Sequence, residues 1–251
     1  MTGNPTLNQN TFTGVQPAAG GGVMTIQGTV NKASILLVLL TVSAAYTWNL
    51  YLKGDVAQMM PWIYGGAFVG FIFAMITSFK KEWAPVTAPI YAVCEGLFIG
   101  GISSILDAQF GARFHQSIVL QAVMLTLGTL AALLGCYKIG LIKATDNFKR
   151  GVFAATGGIA LLYLVSMVLG IFHIQIPGIF GNGMIGIGFS IFVVIIAAMN
   201  LVIDFDFIEQ GASVGAPKYM EWYAAFGLLV TLIWLYLEIL RLLAKLNSRR
   251  D

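Results

Sequence analysis

Seven runs of some twenty mostly apolar residues leave this chain few choices of fold. They lie at about 31–52, 59–79, 86–106, 116–136, 150–174, 184–206 and 219–245. A helix crossing about 30 Å of hydrocarbon needs roughly 20 such residues. Inside a bilayer no water satisfies backbone N–H and C=O groups, so a chain of such runs folds as a helical bundle. The alternation of a membrane barrel is absent. Of the 251 residues, 58% are hydrophobic and 10% are charged, whereas about a quarter of an ordinary soluble domain is charged. Connections such as "KKEW" from Lys80 and "KATDNFKR" ending at Arg150 are short. The expected architecture is therefore all-α, a polytopic bundle of seven transmembrane helices over residues 29–246. A flexible tail over 1–28, with "GGG" at 20–22 as a linker, precedes it, and a short tail over 247–251 follows. The N-terminal stretch carries no basic patch and no short apolar core of the kind a cleaved signal has.

The charges orient the bundle. Net charge is +3, and the 14 basic residues are scattered between apolar runs, which gives no basic patch for nucleic acid. With the N-terminus in the cytosol, Lys32, Lys80, Lys81, Lys138, Lys143, Lys149, Arg150 and Lys218 fall inside. Only Lys53 and Arg113 fall in loops on the other side, as the positive-inside rule favours. Arg249 and Arg250 disagree, unless the last segment re-enters and returns. Cys94 and Cys136 sit within apolar runs and read as small core residues. His115 and His173 are isolated near span ends.

Small residues punctuate the runs, in "GGAFVG", "GLFIGG", "ATGGIALL" and "GNGMIGIG". They read as points of close helix packing. For the last, an unwound break facing a substrate is the alternative.

Acids within the runs are the candidate functional residues, because a charge at a span centre costs about 2.5–3.5 kcal/mol on insertion scales. Glu95 lies near the middle of the third run. It is either a neutral packing acid or a group facing water inside the bundle. Asp204 and Asp206 close the sixth run, about 200° apart on a helical wheel, so Asp204 reads as inward and Asp206 and Glu209 as a solvated end. Glu221 opens the seventh run. Glu238 and Arg241, three apart, share a helix face and read as an intrahelical ion pair. Two acids meeting at low dielectric would share a proton or hold Ca²⁺ through oxygen ligands, which makes a pH-responsive latch. "GASVG" around Ser213 has the letters of a nucleophile elbow but joins two membrane runs rather than a strand and a helix. No HExxH or Walker motif is present. An intramembrane protease is the enzyme alternative, and it would need two acids in facing helices or a Ser held by a His.

Longer stretches carry a resemblance: "NPTLN", "MTIQGTVNKASILLVLLTVSAAYTW", "SFKKEWAPVTAPIYAVCEGLFIGGIS" and "FDFIEQGASVGAPKYMEWYAAFGLLVTLIWLYLEILRLL". The chain resembles the Bax inhibitor-1 like family in its bacterial branch, over almost its whole length. The resemblance implies a seven-helix bundle with the last helix central, in the plasma membrane, without enzyme chemistry or a cofactor. It implies a pH-sensitive calcium leak gated by an acid pair on the last two helices. Some relatives are instead linked to a membrane-bound quality-control protease as modulators. The family's sixth-helix pattern, Asp followed by Ile four residues on, resembles Asp204 and Ile208; its "YLD" resembles Tyr236 to Glu238. The implied latch, and any calcium site, is Asp204 with Glu238. Glu95 and Arg241 are secondary partners, with Asp206 and Glu221 as substitutes. A tight hairpin turning near Ser213 would instead put Glu221 level with Asp204, with Glu238 about 25 Å beyond at 1.5 Å per residue.

Overall fold

The computed structural model describes residues 22–114, 117–172 and 178–248. Most of the expected tail (1–21), both histidines, Arg249 and Arg250 lie outside the described residues. Seven helices follow one another: α1 Ile26–Leu52, α2 Val56–Phe79, α3 Ala84–Phe114, α4 Ile118–Lys138, α5 Asp146–Ile171, α6 Met184–Ser213 and α7 Met220–Ser248. Among the described residues there is no strand, only the isolated bridge between Val23 and Pro217. All seven helices are long and apolar enough to cross a membrane.

Capping sets several helix starts. Thr25, Ser117 and Thr145 have extended backbones, and their hydroxyls accept from the N–H of Gly28, Leu120 and Phe148, satisfying donors that a first turn leaves open. The apolar runs mark the spans but understate α3 and α6, which continue several residues further. Helical hydrogen bonding does not stop where the apolar run stops. Asp206 and Glu209 thus lie within α6 rather than beyond its end. α7 is one unbroken helix of 29 residues, about 44 Å long at 1.5 Å per residue, so the re-entrant alternative for the last segment does not hold.

The chain forms two compact units. One gathers α4, α5, α6 as far as Phe205 and α7 from Thr231; the other gathers α1 to α3, the end of α6 from Asp206 and the start of α7 to Val230. In the second unit α3 packs against both α1 and α2. A Cβ on Gly96 would collide with Ser43 and the Leu40 backbone, and one on Gly100 with the Ala44 backbone, so this GxxxG face lets α1 come close. In the first unit Ile159, Val193 and Ile196 form a buried cluster, with Ala155, Tyr163, Phe189 and Trp234 packed around it. In α7, 61% of the most apolar window is buried, against 11% in α5. Accordingly α5 turns Leu161 and Met167 outwards, where lipid replaces water as their surroundings.

"GNGMIGIG" straddles the start of α6. A Cβ on Gly186 would run into the Gly181 carbonyl, so the glycines fit the helix to its own approach loop. The expected tail ends in structure: the Met24 N–H donates to the Ala216 carbonyl at 2.7 Å, Met24 is buried, and α1 begins at Ile26. Gly215, with φ +66°, makes the turn between α6 and α7 in a conformation that glycine adopts without strain.

Candidate functional site

The first unit holds a string of buried and half-buried polar side chains between its apolar helices. On α5, Thr156 and Tyr163 are seven residues apart and share a face, since seven residues are close to two turns. On α6, Asn200 and Asp204 are four apart and share a face by the same rule. Asn200 is buried, and its amide donates to Thr156 Oγ1 and to the Ile196 carbonyl, both at 2.9 Å. Its Oδ1 is buried without a hydrogen-bond partner. Asp204 is fully buried.

α7 supplies the charged part. Glu238 is 2% exposed. Its Oε1 accepts from the Tyr163 hydroxyl at 2.9 Å and from Arg241 at 2.8 Å, and Arg241 also donates to the Tyr163 oxygen at 2.7 Å. The Arg241 side chain is 44% exposed and lies over the Tyr163 ring, so its charge reaches outwards while it holds the acid. Glu238 Oε2 is buried without a hydrogen-bond partner. One turn on, the buried Lys245 donates to Gly186 O at 3.0 Å and Ser190 Oγ at 2.9 Å. The intrahelical pair expected of Glu238 and Arg241 is present. Tyr163, its third member, was not legible: an aromatic residue in an apolar run reads as core. Asn200 gave one signal, an amide four residues before Asp204.

The contacts of α7 set Glu238 and Asp204 at different levels, unlike the pair that the resemblance implies. Lys245 reaches α6 at Gly186 and Ser190, Trp234 packs on the cluster of Ile159, Val193 and Ile196, and Tyr163 bridges Glu238 to Phe189, ring to ring at 6.4 Å. Glu238 therefore stands level with about residues 189–197 of α6. Asp204 lies seven or more residues further along, about 10 Å or more at 1.5 Å per residue. The two carboxylates occupy the same unit at different depths. Register decides this: α7 carries its acid past the level at which Asp204 sits.

The remaining acids have other roles. Glu221 is fully buried and clamps the start of α1. Its Oε1 accepts from the Thr25 N–H at 3.1 Å, the Thr25 hydroxyl at 2.9 Å and Lys218 at 2.7 Å. A Cβ on Gly28 would collide with that carboxylate. Glu221 is thus committed to the N-terminal segment rather than held as a substitute latch acid. Glu95 is half-buried on α3, over α2; a Cβ on Gly70 would stand 3.1 Å from its Oε2. Asp206 is half-buried and accepts from Gln210 at 2.6 Å, so only Glu209 fits the solvated-end expectation. Ser213 closes α6 and donates back to the Gln210 carbonyl at 2.8 Å, with a helix rather than a strand before it. In the α6–α7 turn, burial and the nearby Glu82 carboxylate push the Tyr219 phenol above its usual range. Among the described residues, no three of His, Cys, Asp and Glu gather as metal ligands.

Residues 4–248 match the model of the family described as Bax inhibitor 1 like. The chain belongs to that family. Comparison with curated proteins and with solved structures returned no match. Membership covers all seven helices of this Bax inhibitor 1 like protein, including α5, α6 and α7, which carry the buried polar string.

Proposed function

We propose that this multi-pass membrane protein is a pH-sensitive leak for cations, calcium among them, and carries out no covalent chemistry. The observation that supports it is Glu238: a carboxylate 2% exposed in a membrane helix, one oxygen held by Tyr163 and Arg241, the other with no hydrogen-bond partner. Retaining such a group within a span costs about 2.5–3.5 kcal/mol on insertion scales, and intramembrane acids of this kind mark ion and proton pathways. Asp204, Asn200 and Thr156 extend the polar lining at a second depth. The acids act in series rather than as a pair. Each attracts a cation only when deprotonated, so flux rises with pH and falls when either acid is made neutral.

The test is calcium flux into liposomes holding the purified protein, across about pH 5 to 8. Wild type is expected to leak more at the alkaline end, and Asp204→Asn to lower that flux and flatten its pH dependence. Flux no greater than that of empty liposomes at every pH would overturn the leak reading. It would favour the alternative, an interaction protein that restrains a membrane-bound protease, for which deletion of residues 1–28 is the discriminating variant.

A further inference from the structure

From the stacking of side chains in the first unit, we infer that Ile159, Val193 and Ile196 form the dry barrier of the cation path, with an oxygen station on each side. This deepens the leak reading and rests on it.

The order along the helices carries the argument. On α5, Thr156, Ile159 and Tyr163 follow one another on one face, polar, apolar, polar. On α6, running the other way, Asn200 is followed by Ile196 and Val193, then by Phe189 against the Tyr163 ring. Thr156 is bonded to Asn200, which fixes one level; Tyr163 is bonded to Glu238, which fixes the other. The two levels are seven residues apart on α5, about 10 Å at 1.5 Å per residue. The apolar cluster fills that interval, with Ile159 4%, Val193 0% and Ile196 7% exposed and Trp234 packed against it.

Each level holds a buried oxygen without a hydrogen-bond partner, Asn200 Oδ1 on one side and Glu238 Oε2 on the other. Leaving such a group unsatisfied is unfavourable, and a water or a cation is what an unpaired oxygen binds. The interval between has nothing to offer either. A hydrophobic constriction of this kind blocks ions by excluding water. Hydrating the constriction should therefore open the path without touching either station.

Threonine is the probe. It is close to the volume of a trimmed isoleucine, and in a helix its hydroxyl bonds back to the carbonyl four residues earlier. Thr126 already does this on α4, donating to Ala122 O at 2.7 Å. Calcium flux into liposomes is measured for wild type, Ile196→Thr, Ile159→Thr, Ile196→Leu, Asp204→Asn and Leu36→Thr. Leu36 is as deeply buried on α1 and controls for general loosening. The expected result is a rise of about tenfold in Ile196→Thr and Ile159→Thr, corresponding to ~1.4 kcal/mol of barrier. Ile196→Leu and Leu36→Thr should stay at the wild-type level. Two threonine sites on different helices guard against one variant failing to fold. Wild-type flux that Asp204→Asn lowers but neither barrier threonine raises would overturn the barrier and leave the leak standing. An equal rise in Leu36→Thr would also overturn it. Absence of flux in wild type and in both barrier variants would remove the leak reading and the barrier with it.

Discussion

Glu238 shows how a single carboxylate is kept inside a membrane helix. Arg241, one turn on, supplies the opposite charge from a half-exposed position, and Tyr163 completes a three-membered ring of polar contacts. Hydrogen bonds to charged groups contribute about 1.5–3 kcal/mol each. Tyr163→Phe should therefore destabilise the protein by roughly 1–3 kcal/mol, read as a lowered unfolding midpoint in mixed detergent micelles. An unchanged midpoint would mean that Arg241 alone holds the acid. The pairing of Glu238 with Arg241 was legible from their spacing; the tyrosine was not, because it comes from another helix seventy-five positions away and tyrosine in an apolar run carries no sign of its partner. Asp204 was legible as buried, since it sits deepest in its run. Its separation from Glu238 was legible in the hairpin register, which set Glu238 well beyond Asp204, and not in the motif match, which gives residue types and leaves the register of two helices open.

Helix contacts differ in how much room they leave. Gly96 meets the α1 backbone, which cannot swing aside, whereas Gly128 on α4 faces open space. Gly96→Ala should cost about 1–3 kcal/mol through overpacking. Gly128→Ala should be neutral or stabilising by up to about 1 kcal/mol, since alanine favours a helix over glycine. Unfolding of the two variants side by side checks the contrast. At the start of α1, Glu221 ties Thr25 to α7. Glu221→Ala should release that segment, and amide exchange at Met24 and Thr25 should quicken by about tenfold or more, the equivalent of ~1.4 kcal/mol of local stability. Unchanged exchange would show that the pairing of Met24 with Ala216 suffices. All seven helices were legible from apolar length alone. Their ends were not: α1 begins inside the stretch that reads as a tail, because the clamp that orders it is formed by a residue nearly two hundred positions away.

At the scale of the whole molecule, seven membrane helices of the Bax inhibitor 1 like family carry a polar string through the unit formed by α4 to α7. A cytosolic N-terminus is our proposal, supported by the bias of the loop cations. Lys149, buried on α5, leaves the set of loop cations without reversing the bias. Single cysteines at Lys80 and Lys53 should then label from the cytosolic and the opposite side respectively; the reverse would invert the bundle. The central claim is that separated acids line one cation path. Groups more than about 7–10 Å apart act additively, whereas acids sharing one proton do not. The decisive measurement is calcium flux at about pH 8 for wild type, Asp204→Asn, Glu238→Gln and the double variant. The account predicts that each single substitution lowers flux and that the logarithms of the two effects add in the double variant. A double variant no worse than either single would contradict it, because that result requires the two acids to act as one pair.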